Sequence, residues 1–162
     1  MKIIVTLLLS FLITGAAVFA QTKLPVKQIL TLELAKDIAN AAKAEAEKRG
    51  ATVVIAIVDD GGHLIFLERL DDTQVASVEV GIGKARTAAI FRRPSKVFED
   101  QVKEGRVAAI ALPGATPLQG GIPIIAGGKV IGAIGVSGNT PKEDEDIAKV
   151  GAAVIEALGG GK

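Results

Sequence analysis

Apolar residues recur at helical spacing early in the chain. Ala35, Ile38, Ala39, Ala42 and Ala46 stand at i, i+3, i+4, i+7 and i+11, with Lys36, Asp37, Asn40, Lys43 and Glu47 between them. That spacing predicts an amphipathic helix. Thr31 is placed to cap its start, and Gly50 follows Arg49 where a C-terminal glycine belongs. Val53 to Val58 is continuously apolar and rich in β-branched residues, the pattern of a strand covered on both faces. Asp59-Asp60-Gly61-Gly62 then reads as a tight turn, and His63 to Leu70 returns as the second strand of a hairpin.

A second helix is expected from about Thr73 to Phe91. Val75, Val78, Ile82, Ala85 and Ala89 form its expected core face, and Pro94 blocks its continuation. Ser95 is placed to cap a short helix ending near Gly105. Between 106 and 121 the pattern allows either a strand or a buried helical turn at Val107 to Leu112, followed by loop residues. Ile122 to Ala126, Gly127-Gly128 and Lys129 to Val136 form a second hairpin, and Pro123 makes its first strand an edge strand. Thr140-Pro141-Lys142-Glu143 fits a capping box with proline at the first helical position. Ile147, Val150, Gly151, Val154, Ile155 and Leu158 continue that last helix. Paired hairpins among helices predict an α+β domain with antiparallel pairing.

The first twenty residues follow another logic. Lys2 precedes an apolar run from Ile3 to Ile13, broken only by Thr6 and Ser10, and Val18-Phe19-Ala20 offers a small-x-small cleavage site. This predicts a signal peptide over 1–20, a lead over 21–30 and a domain over 31–162, with the product in the periplasm or secreted. Lys2 is the only charge in the leader, so cleavage leaves 18 basic against 18 acidic residues. A chain without excess cation is a poor match for nucleic acid. It has no cysteine, its only methionine is Met1 and its only histidine is His63. Thiolate metal sites, cysteine catalysis and methionine-ligated haem are thereby excluded.

Three segments together resemble the GlcG/HbpS family, which includes the C-terminal domain of PduO-type proteins. They are Ile57-Val58-Asp59-Asp60-Gly61-Gly62-His63-Leu64 with Glu68-Arg69-Leu70-Asp71-Asp72, Lys84-Ala85-Arg86-Thr87-Ala88-Ala89 with Phe91-Arg92-Arg93-Pro94-Ser95, and Gly120-Gly121-Ile122-Pro123-Ile124 with Ile131 to Gly138. The chain departs from the family at Asp72-Thr73-Gln74, where Asp-Gly-Ala is common. The resemblance implies a profilin-like fold with a five-stranded antiparallel sheet flanked by helices. It also implies homo-oligomers, and haem or a related tetrapyrrole as ligand in some members.

Candidate ligand contacts follow. Lys84, Thr87 and Phe91 align at i, i+3 and i+7, opposite the expected core face of the second helix. A cation, a hydroxyl and a ring suit an amphiphilic anion such as haem, with Arg92 and Arg93 as further propionate partners. The resemblance associates Thr87 with the haem site. Alternatively, Thr87 bonds its own helix backbone and the arginines are a solvated helix end. His63 is the one imidazole available to haem iron, or a polar turn residue. The aspartates at 59, 60, 71 and 72 read first as turn chemistry. The leading expectation is an exported, oligomeric haem-binding protein in haem or iron handling or redox sensing. An enzyme degrading haem or acting on a small carboxylate, and a structural or sensory module meeting a membrane receptor, are the alternatives.

Overall fold

The computed structural model describes residues 24–157; the expected signal peptide and Leu158 lie outside them. The order is α1 (Leu32–Lys48), β1 (Val54–Asp59), β2 (Leu64–Arg69), α2 (Ser77–Ile90), α3 (Lys96–Lys103), a 3-10 turn (Val107–Ala111), β3 (Gly121–Ala126), β4 (Lys129–Ser137), α4 (Pro141–Ala152) and a final turn, α5 (Val154–Ala157). The sheet is antiparallel throughout, in the order β2-β1-β4-β3. Among the described residues it has four strands and not the expected five. The strong strand patterns in the sequence supply only two hairpins. The ambiguous stretch after Arg106 becomes the 3-10 turn, with Val107 and Ile110 exposed and only Ala109 buried.

The caps read from the sequence are formed at Thr31 and Thr140 but not at Ser95, whose hydroxyl instead donates to the Leu118 carbonyl and accepts from the Gly121 amide. The Leu34 amide donates to the Thr31 hydroxyl at 3.2 Å, and the Glu143 amide to that of Thr140. The five predicted apolar residues of α1 are all buried. With Ile147 and Ala148 of α4 they cover the sheet face made by Ile55, Ile57, Ile134 and Val136. The other face is made of small residues, with Gly135 opposite both Ala56 and Gly121, and Ala133 opposite both Val58 and Pro123. α2 packs there. A Cβ on Gly135 would stand 2.1 Å from the Gly81 carbonyl oxygen, and one on Gly121 2.1 Å from that of Lys84.

This close approach corrects the expected core face of α2. The helix starts at Ser77, and Val75 is an exposed residue of the preceding turn. Of the expected face Ala85 and Ala89 are buried and Val78 and Ile82 half-buried, while Ser77, Gly81, Lys84, Thr87 and Ala88 are buried with them. The glycine and alanine floor admits the helix backbone and has no depth for long apolar side chains. The large residues therefore turn to the flanks.

The two sheet edges differ. β3 carries Pro123, which has no N–H to offer, and its register against β4 shifts between Ile124 and Ile125, where Ile131 of β4 is the extra residue. β2 presents Leu64-Ile65-Phe66-Leu67 along its edge, with Leu64 half exposed and Ile65 the extra residue where its register against β1 shifts.

Candidate functional site

The six expected ligand contacts separate into two groups. Lys84 and Thr87 belong to the interior and do not form an exposed face with Phe91. Lys84 is 4% exposed. Its Nζ donates to Asp144 Oδ2 at 2.7 Å and to the Val136 carbonyl at 3.0 Å. Asp144 is as deeply buried and also accepts from the Asn139 amide at 3.0 Å. Burial raises the Asp144 carboxyl above the usual carboxylate range, against the pull of the Lys84 bond and charge. Thr87 donates to the Gly83 carbonyl at 2.8 Å and accepts from the Thr116 amide at 2.7 Å. It therefore bonds its own helix, as the sequence allowed, and in addition pins the 112–118 segment to α2.

The second group gathers at the C-terminal end of α2. The Asp59 carboxylate accepts from the Gly61 and His63 amides, both at 2.9 Å, and so builds the β1–β2 turn as expected of turn aspartate. Gly62 has φ +83°, and a Cβ there would stand 2.8 Å from Arg86 Cγ and 3.1 Å from Ile90 Cγ2. Arg86 Nε donates to the Gly62 carbonyl at 3.2 Å. The turn carrying His63 is thus seated on the last turns of α2, which lead directly into Phe91, Arg92 and Arg93. His63, Arg92 and Arg93 are exposed and Phe91 is half-buried. The Phe91 ring packs on Phe98 at 4.8 Å between centroids, and the Arg93 guanidinium lies 5.9 Å from the Phe98 ring. Arg92 holds φ +55°, an uncommon conformation for a residue with a Cβ.

Beside this end lies a cavity of about 930 Å³, within the range of ordinary ligand pockets, about 300–1,000 Å³. Its walls include Arg92, Asp60 of the His63 turn and residues of the β3–β4 hairpin. Residues 26–28, before α1, close one side. The sequence reading missed Asp144, Thr116 and the cavity residues Lys27 and Lys129. Only the Gly127-Gly128 turn beside Lys129 hinted at an open backbone there.

Residues 30–153 match the family described as haem degrading protein HbpS-like. The chain belongs to this family. The HbpS-like chain is 44% identical over 111 residues to protein GlcG of Escherichia coli K12, covering 68% of this chain and 83% of that protein. It superposes on a double mutant of HbpS from Streptomyces reticuli with a TM-score of 0.75 at 34% identity, over 82% of this chain and 90% of that one. A PduOC:haem complex superposes with a TM-score of 0.72 at 26% identity, over 79% and 96% of the two chains. The HbpS-like fold therefore accounts for both hairpins and the helices on both faces of the sheet.

Proposed function

We propose that this HbpS-like protein binds haem or a related tetrapyrrole at the C-terminal end of α2. The observation that carries the reading is the cavity of about 930 Å³ seated against Arg92 and the β1–β2 turn. Apolar walls suit the macrocycle and cations suit its carboxylates. The PduOC relative crystallised with haem supports the ligand class. Of the expected set Arg92 lines the cavity, and outside its lining His63 and Arg93 are exposed and Phe91 half-buried. His63 is the chain's one imidazole and the residue offered to the iron. Lys84 and Thr87 act behind the site, by fixing α2 and the 112–118 segment. The leader over residues 1–20 would place this binding outside the cytoplasm, and homo-oligomers remain part of the reading.

The test is titration of haemin into the purified protein, followed by its Soret absorbance. A saturable shift is expected, and His63→Ala should change its wavelength more than its amplitude. A spectrum identical to that of haemin in buffer rejects the proposal.

A second reading, haem breakdown, is favoured by the family's own description. It predicts that the shifted band bleaches when ascorbate or peroxide is added. A band stable under both favours binding without turnover.

A further inference from the structure

We infer that the ligand's carboxylates are held by Lys27, Arg92 and Lys129, and that Asp60 keeps Lys27 in place until they arrive. The inference rests on the tetrapyrrole reading and assigns the polar half of that site.

These four residues come from four separate segments and meet only at the cavity. Lys27 precedes α1, Asp60 is on the β1–β2 turn, Arg92 follows α2 and Lys129 opens β4. Three cations face one carboxylate, so the wall carries excess positive charge. The lining also includes the apolar residues Val26, Ile125 and Ile131. An amphiphile with an acidic end matches both kinds of lining.

Lys27 Nζ lies 2.7 Å from Asp60 Oδ2, with the lysine side chain 65% exposed. An exposed pair of this kind is weakly held, so an incoming carboxylate can take Lys27 over. Among the described residues, neither Arg92 nor Lys129 has a carboxylate partner within ion-pair distance. Gly127 and Gly128, at φ +56° and +73°, keep side chains off the rim beside Lys129.

The experiment compares haemin with protoporphyrin IX and its dimethyl ester, which lacks the carboxylates. Porphyrin binding is read by fluorescence and haemin by absorbance. Lys129→Glu and Arg92→Asn are the main variants; asparagine tolerates the backbone at Arg92. Each should weaken the free acids about tenfold or more and leave the ester within about twofold. Asp60→Asn frees Lys27 and should tighten the acids, whereas Lys27→Ala should weaken them. If wild type binds haemin and all four variants bind it equally, the cavity assignment is overturned and the tetrapyrrole reading stands. Equal losses for acid and ester also overturn it. If wild type binds neither haemin nor porphyrin, both fall.

Discussion

Lys84 on α2 and Asp144 on α4 meet at 2.7 Å, although their helices cover opposite faces of the sheet. Lys84 passes the end of β4, where it also binds the Val136 carbonyl. Both side chains are almost fully buried. Removing either partner leaves a charge in the interior. We expect Lys84→Met to cost about 3–5 kcal/mol, read from urea unfolding. The double change Lys84→Met with Asp144→Leu should recover much of that loss. A single variant as stable as wild type would contradict this account.

The same pair sets a pH dependence. The folded Asp144 carboxyl holds its proton above the ordinary carboxylate range because of burial. The folded chain therefore binds this proton more tightly than the unfolded chain. The group's contribution to stability falls as pH rises from the ordinary carboxylate value to the raised one, then stays level. Asp144→Asn removes the titration. Wild type should lose stability relative to that variant across this window, measured as urea midpoints at each pH. The opposite slope would show a lowered carboxyl.

Gly135→Ala tests the contact between α2 and the sheet. Its methyl would stand 2.1 Å from a backbone oxygen of Gly81, and the helix must lift to admit it. Overpacking of this kind costs about 1–3 kcal/mol, and the rigid neighbour places this case near the top. A thermal melt unchanged from wild type would show that α2 sits further from the sheet.

Thr87→Val keeps the shape of the side chain and removes the acceptor for the Thr116 amide. The part-buried donor then goes unpaired, at a cost of about 1 kcal/mol, the low end for an unsatisfied donor. Amide exchange at Thr116 should speed up sharply while exchange within α1 is unchanged. Uniform acceleration would indicate global loosening instead.

Local signals carried much of this fold. The stripe of α1, both hairpin turns and the Thr140 cap are set by residues within a few positions of each other. The orientation of α2 was not legible in the same way. Its valines and isoleucines imply one core face, but Gly121 and Gly135, far along the chain, leave room only for small residues. Lys84 reads as a surface cation until Asp144, sixty positions later, is brought beside it. His63 and Arg92 were visible as candidates because of their chemistry. Their placement at one end of the fold depended on Gly62 fitting against Ile90, a tertiary contact.

The two edges of the sheet bear on how large an assembly can become. An open strand edge is a reactive end, in the polymer chemist's sense, and a blocked one is a terminator. Pro123 takes one N–H from the β3 edge and the extra residue Ile65 interrupts the β2 edge, so each end of the sheet carries a terminator. Growth by edge-to-edge joining is thereby disfavoured at both ends. Pro123→Val would remove one of the two terminators and move the chain toward a monomer from which a sheet can run on as a fibre.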